Sequence, residues 1–313
     1  MTEILVLTAP EEATLPGLEQ LPDTVTLKYV SEPESLRAGL RTADILVVTD
    51  FRSSILEECW PDSTTIRWVH ATSAGIDTLR FAALWHSEIA ISNAQGIFNR
   101  GIAEYVLGAV LMFSKDFLGN LHYQQQAQWR HRETRLLRQQ QVLIVGAGSI
   151  GTDVGQLLST MGMQVTGVAR SARAATGFTS IHAQASLPEL LPQADFVVIT
   201  APLTPTTEGL FDNAMFAAIK PGAYLINVGR GPIVCTDALM QALDSGQLAG
   251  AALDVLEEEP LPAEHPLWAK PNVMISAHMA GDFIGWREAL GQQFVENFSR
   301  WQKGEVLLNP VTR

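Results

Sequence analysis

Apolar and polar positions alternate between two periods along this chain. In the first ninety or so residues, short β-rich runs at Ile4–Thr8, Val25–Val30, Ile45–Thr49, Ile66–Ala71 and Ile89–Asn93 are separated by stretches of helical spacing. Strand runs of that length with helices between them predict a parallel sheet with crossover connections. From Ile97 to Phe117 the pattern becomes one long, apolar, alanine-rich helix, followed by a polar stretch, 124–141, dense in Gln and Arg and containing Trp129. A second, more regular series begins there, with strands predicted at 142–147, 164–169, 196–200, 224–228, 251–255 and 273–277. Six strands with helices between them suit a doubly wound sheet. The last segment, about Phe283 to Lys303, reads as an amphipathic helix that starts no new sheet and is expected to return to the first domain.

With 313 residues the chain exceeds what a single core usually supports, which agrees with two domains. The expected fold class is α/β: a Rossmann-type doubly wound parallel sheet and a second, smaller flavodoxin-like α/β domain. Composition adds exclusions. A formal net charge of -12 disfavours nucleic acid and anionic membranes as partners. Cys59 and Cys235 support neither a disulfide framework nor a cysteine metal site, so no metal is expected. No basic leader with a long apolar run stands at the N-terminus, and no apolar stretch approaches the length of about 18 residues needed to cross a membrane. A cytoplasmic protein is expected.

The first chemical signal is Gly146-Ala147-Gly148-Ser149-Ile150-Gly151, directly after the apolar run Val142–Val145. Gly146 permits the tight turn, Gly148 lets backbone approach a pyrophosphate, and Gly151 lets helix and strand pack closely. Val154, Leu157 and Leu158 then continue at helical spacing, placing a helix N-terminus where a diphosphate would sit. A bare glycine pattern is weak evidence; the strand before it and the helix after it make it specific. Some twenty residues on, where an acidic residue would accept hydrogen bonds from the adenosine ribose, this chain has Arg170-Ser171-Ala172-Arg173. Two guanidinium groups and a hydroxyl suit a 2′-phosphate, so NADP is expected in preference to NAD, with NAD still possible.

In open parallel sheets ligands bind at the carboxyl ends of the strands. Arg230 follows one strand run, Glu259 lies five residues beyond Asp254 after another, and His278 ends a third. Together they supply what reduction of a 2-keto acid needs: a planar cation for the carboxylate and carbonyl, a proton donor working near neutral pH, and an acid that orients it. His70, His86, His122, His131, His182 and His265 read as surface or structural.

Several stretches in order carry a family resemblance: Ser73-Ala74-Gly75-Ile76-Asp77, Ala103-Glu104-Tyr105-Val106, the Gly146–Gly151 turn, Pro202–Thr207, Asn227–Gly231, Ala252–Val255 with Glu259–Pro262, and His278-Met279-Ala280-Gly281. Over nearly its whole length the chain resembles the D-isomer-specific 2-hydroxyacid dehydrogenases. The resemblance implies catalytic roles for Arg230, Glu259 and His278 and carboxylate binding by the backbone at Ala74, Gly75 and Ile76. It also implies cofactor contacts from Ala201, Pro202, Thr207, Val228, Gly229, Gly281 and Asp254, the last facing the nicotinamide carboxamide. A discontinuous substrate domain, 1–95 with 283–313, would flank a cofactor domain, 96–282. A homodimer joined through the cofactor domain would follow; separately, because the chain crosses between the domains only near 95 and 282, closure hinged there is expected. The sequence departs from the common pattern in having Ser276-Ala277 before the histidine and Arg170 at the usual acidic position. The stretch 281–287 is similar to NADP-linked members and suggests Trp286 as a wall of the substrate pocket. The competing readings are a non-catalytic nucleotide-sensing corepressor and a dehydrogenase of another small anion such as formate or phosphite.

Overall fold

The computed structural model describes residues 1–10, 12, 14–49 and 55–313. The chain divides into two compact units, 1–98 with 283–313, and 99–282.

In the first unit, β1 (Thr2–Leu7), β2 (Val25–Val30), β3 (Ile45–Val48), β4 (Trp68–Ala71) and β5 (Ala90–Ser92) form an all-parallel sheet in the order β2-β1-β3-β4-β5. That is the flavodoxin-like order. Its middle strand β3 is apolar at every position because both faces are covered, as parallel sheets require. Leu5, Leu7, Leu46, Val48, Val69 and Ala71 enter one core cluster; Ile4, Val6, Ile45, Val47 and Trp68 enter the other. The second face is covered by the helix Trp286–Lys303, whose Phe294 stacks on Trp68 with ring centroids 5.3 Å apart. The expected C-terminal helix therefore forms, starting at Trp286 after Gly285 in the left-handed region (φ 96°).

His70 follows Trp68 on that same face and is fully buried. Its Nδ1 lies 2.8 Å from Ser92 Oγ, which also accepts from Trp68 Nε1 at 2.9 Å. Burial drives its pKa down to about 3 from the ordinary 6.5. Between those values the unfolded chain holds a proton that the folded chain does not, so stability present above pH 6.5 is lost as pH falls toward 3. Lowering pH from 7 to 5 should cost about 2 kcal/mol through this residue. Denaturant unfolding at the two pH values checks this: the loss should shrink in a His70→Leu variant, and an equal loss in both proteins would contradict it.

In the second unit, β6 (Gln141–Val145), β7 (Gln164–Ala169), β8 (Ser180–Ala183), β9 (Phe196–Ile199), β10 (Ala223–Asn227), β11 (Leu248–Leu253) and β12 (Val273–Ile275) form a parallel sheet ordered β12-β11-β10-β9-β6-β7-β8. This is the doubly wound Rossmann order with one further strand, and its switch point lies between β6 and β9. The sequence reading expected six strands. The additional strand, β8, is a four-residue edge strand that pairs with β7 and carries the half-polar run Ser180-Ile181-His182-Ala183, too short and too polar to announce itself.

The single helix expected from Ile97 to Phe117 is also corrected. It runs Asn99–Ser114, and a second helix occupies Phe117–Gln125, inside what read as helix end and polar stretch. The break is at Asp116, in the left-handed region at φ 51°, whose carboxylate accepts from Gly119 N–H at 3.1 Å and caps the new helix.

Candidate active site

The phosphate turn leaves β6 at Gly146, where φ is 110°, and a side chain there would run into the backbone of Thr200 and Ala201. A Cβ on Gly151 would strike the Gly146 carbonyl, so that glycine sets how closely the helix Ser149–Thr160 packs on the strand. At Gly148, by contrast, a Cβ would meet nothing within 4 Å. That open face beside a helix N-terminus is what a bound diphosphate needs. Thr200 Oγ1 donates to Gly146 O at 2.7 Å, and Asn99 Nδ2 donates to Ser149 Oγ at 2.8 Å, tying the turn to β9 and to the helix Asn99–Ser114.

Downstream of β7, Arg170 and Ser171 are exposed, and the Arg173 guanidinium donates to the Ala147 carbonyl of the turn. Arg173, itself exposed, is thus tied back to the phosphate turn. Of the other cofactor candidates, Thr207 Oγ1 donates to Pro202 O at 2.7 Å and accepts from Thr204 N–H at 2.8 Å, folding the 202–207 loop on itself. Ala201, Val228 and Gly229 are buried at the ends of β9 and β10. Gly229 donates to Asn227 Oδ1 at 3.1 Å, and a Cβ on it would press on the Ala201 carbonyl.

Arg230, Glu259 and His278 converge at the carboxyl ends of β10, β11 and β12. Arg230 is half-buried; its Nη1 donates to Gly229 O at 2.8 Å, and its carbonyl accepts from Asn227 Nδ2 at 3.1 Å. Next to it, Gly231 sits so close to the Leu256 carbonyl that no side chain fits, which joins the arginine turn to the loop carrying Glu259. Glu259 accepts from Leu256 N–H through Oε1 at 2.9 Å, and its Oε2 lies 2.8 Å from His278 Nδ1. Burial raises the Glu259 carboxyl, but hydrogen bonds from His278 and Leu256 and the charges of His278 and Arg230 outweigh it, so its pKa lies below the ordinary carboxylate value. An ionised carboxylate only accepts, so Nδ1 of His278 is the donor in this pair.

His278 has φ 51°, a left-handed conformation that costs a non-glycine residue about 1 kcal/mol or more. Asp254, only 3% exposed, holds it there. Its carbonyl accepts from His278 N–H at 2.9 Å; its carboxylate accepts from Met279 N–H at 2.9 Å, Ala280 N–H at 3.0 Å and Ser276 Oγ at 2.6 Å. Among the described residues no group of three or more His, Cys, Asp or Glu side chains is placed to hold a metal ion, and no helix is long and apolar enough to cross a membrane.

The other substrate candidates belong to the first unit. After β4, the Ala74 carbonyl accepts from Asn93 Nδ2 at 2.7 Å and the Gly75 carbonyl from Ser73 Oγ at 2.6 Å. In trans peptides N–H and C=O point in opposite directions, so the Gly75 and Ile76 N–H groups face away from those partners. Trp286 is partly buried against the core, with its ring 6.1 Å from Phe98 and the Arg287 guanidinium 5.5 Å from its centroid. Sequence reasoning missed Tyr105 and Ser276, whose hydroxyls meet at 2.6 Å from 171 residues apart. No local pattern signals such a pair.

A doubly wound domain with a glycine phosphate turn and an Arg, Glu and His set at its strand ends defines a nicotinamide-dependent oxidoreductase. The family model described as D-isomer specific 2-hydroxyacid dehydrogenase, NAD binding domain, matches residues 107–280. A glyoxylate reductase from Aeropyrum pernix is 30% identical over 296 residues, 91% of this chain and 88% of that protein. Among solved structures, a D-isomer specific 2-hydroxyacid dehydrogenase family protein from Klebsiella pneumoniae 342 is 33% identical, covering 99% of this chain and 97% of that one with a TM-score of 0.86. An NADPH-dependent glyoxylate/hydroxypyruvate reductase from Sinorhizobium meliloti, solved with NADP and sulfate, is 26% identical over 99% of this chain and 98% of that one, also with a TM-score of 0.86. The chain belongs to the D-isomer specific 2-hydroxyacid dehydrogenase family. It is an oxidoreductase that interconverts small 2-keto and 2-hydroxy acids with a nicotinamide dinucleotide.

Proposed function

We propose that the protein is a cytoplasmic reductase of small 2-keto acids such as glyoxylate and hydroxypyruvate that prefers NADPH to NADH. The Glu259–His278 pair at 2.8 Å, with Arg230 acting on the same carboxylate, carries the reading. When bound, the nicotinamide supplies a hydride to the substrate carbonyl carbon. His278 Nε2 gives the carbonyl oxygen its proton, so that C=O becomes CH–OH, and Glu259 fixes the ring through Nδ1 and favours its charged form. Arg230 pairs with the substrate carboxylate and carbonyl oxygen through its planar guanidinium. In reverse, neutral His278 removes the hydroxyl proton. The backbone N–H groups at Ala74, Gly75 and Ile76 serve as carboxylate donors within a substrate-binding unit, and Trp286 borders the substrate.

The phosphate turn, with Gly146, Gly148, Ser149, Ile150 and Gly151, takes the diphosphate in the cofactor-binding unit, and Ala201, Pro202, Thr207, Val228, Gly229 and Gly281 border the cofactor. The preference for NADPH rests on Arg170, Ser171 and Arg173 at the end of β7, with Arg173 tethered to the turn. The named cofactor of the Sinorhizobium reductase agrees. Initial rates with glyoxylate or hydroxypyruvate should show kcat/KM at least about tenfold higher for NADPH than for NADH, one guanidinium–phosphate pair being worth about 1.4 kcal/mol or more. A clear NADH preference would remove the NADP assignment while leaving the reductase standing.

We also infer a homodimer joined through the 99–282 unit. Residues 128–136 carry no helix or strand, and Trp129 on that arm is fully exposed, as are large parts of Phe117, Leu121 and Leu136 nearby. Exposed apolar side chains on this arm and on the helix Phe117–Gln125 before it support an association surface. Sedimentation should give twice the 34.1 kDa chain mass, and Trp129→Asp should shift it toward the monomer; a monomeric wild-type protein would sink the inference.

A further inference from the structure

Asp254 reads from sequence as a cofactor residue, yet its carboxylate is turned onto the backbone of the loop that carries His278. Oδ1 accepts from Ser276 Oγ and Met279 N–H, and Oδ2 accepts from Ala280 N–H. The Ser276 hydroxyl has a single hydrogen, and it is committed to Asp254. At 2.6 Å from Ser276 Oγ, the Tyr105 hydroxyl must therefore be the donor in that bond. The order is Tyr105 O–H to Ser276 Oγ, and Ser276 O–H to the Asp254 carboxylate.

Tyr105 lies on the helix Asn99–Ser114, and so does Gly101, one turn earlier on the same face. A Cβ on Gly101 would come 2.9 Å from the Gly281 carbonyl. The helix thus meets the histidine loop at both ends, by a hydrogen bond at Ser276 and by close backbone approach at Gly281. Between those two points sits His278 in its strained left-handed conformation. Such a conformation persists only where its surroundings over-determine it.

Resting on the reductase reading above, we propose that Tyr105 and Ser276 are positioning residues: with Asp254 they form a hydroxyl-to-carboxylate clamp that locks the loop 276–281 and so fixes His278 for proton transfer. The tyrosine suits that task, because partial burial, with the Asp254 charge adding to it, raises its pKa against the lowering effect of its bond to Ser276, keeping the hydroxyl protonated as a donor. Neither hydroxyl is assigned a contact with substrate or cofactor. Their removal should therefore act on turnover rather than on ligand binding.

The test is a double-mutant cycle with Tyr105→Phe and Ser276→Ala, read by steady-state kinetics with NADPH and by amide hydrogen exchange without ligands. Each single variant should lose about tenfold in kcat, with KM for the 2-keto acid and Kd for NADPH within about twofold of wild type. The double variant should lose little more than either single one, because both changes break one chain of hydrogen bonds. Exchange at the Met279 and Ala280 amides should quicken about tenfold in each variant. Ser276→Thr, which keeps the hydroxyl, should recover most of what Ser276→Ala loses. Losses that multiply to about a hundredfold, unchanged kcat, or a loss confined to NADPH affinity would overturn the clamp. Were the wild-type protein inactive with every 2-keto acid, the reductase reading would fail instead, and unaltered exchange at Met279 and Ala280 would still refute the clamp on its own.

Discussion

His278→Gln should lower kcat with a 2-keto acid by about a thousandfold while leaving the Kd for NADPH within about twofold of wild type, since general acid catalysis by a positioned side chain contributes about 10²–10⁴. Glutamine keeps much of the ring's volume and polarity, so the loop 276–281, held by Asp254, should fold as before. What is lost is the group that carries a proton at Nε2 and recovers it from solvent. Stopped-flow single turnovers would separate this from slow product release. Turnover within about tenfold of wild type would take His278 out of the proton-transfer role.

Arg230→Lys is expected to be almost as costly, lowering kcat/KM for the 2-keto acid by about a hundredfold or more. Lysine keeps the charge but loses the planar fork that meets a carboxylate and a neighbouring carbonyl oxygen together. It also loses the Nη1 bond to Gly229 O that aims the side chain, and it weakens the cationic pull on Glu259. The loss should appear in KM as well as kcat, because in its proposed role the arginine binds substrate in the ground state and stabilises the developing alkoxide. NADPH titration should be nearly unaltered. An Arg230→Lys protein with wild-type kcat/KM would show that charge alone suffices and that the bidentate contact does not form.

Most of the architecture was legible because the strands are buried on both faces. Ile45–Val48 and Val142–Val145 are unbroken apolar runs, which parallel sheets impose and which few other elements imitate. The strand β8 was not, because a short edge strand with serine and histidine has one neighbour and little apolar surface to declare. Likewise, the apolar run through Phe117 hid the break at Asp116, where a side-chain cap and a left-handed residue override local propensity.

At the site, Arg230, Glu259 and His278 could be read individually from their places after strand runs. Their proximity could not, since it depends on the order β12-β11-β10. Asp254 was legible as a residue but not in its contacts: its carboxylate takes three donors from the histidine loop, which no sequence pattern announces. Tyr105 and Ser276 were illegible because a hydrogen bond between such distant residues leaves no periodic trace. Arg173 stood out for its charge, but its tether to the Ala147 carbonyl is a tertiary fact.

Against the reductase stands a protein of the same fold that binds the dinucleotide and senses it without turning it over. Mixing the protein with NADPH and a panel of 2-keto acids, following NADPH oxidation and resolving the products by chiral chromatography, separates the two. One 2-hydroxy acid should form for each NADPH consumed, of D configuration wherever the product is chiral, and fastest with the small acids glyoxylate and hydroxypyruvate. Saturable NADPH binding with no oxidation by any member of the panel would contradict it.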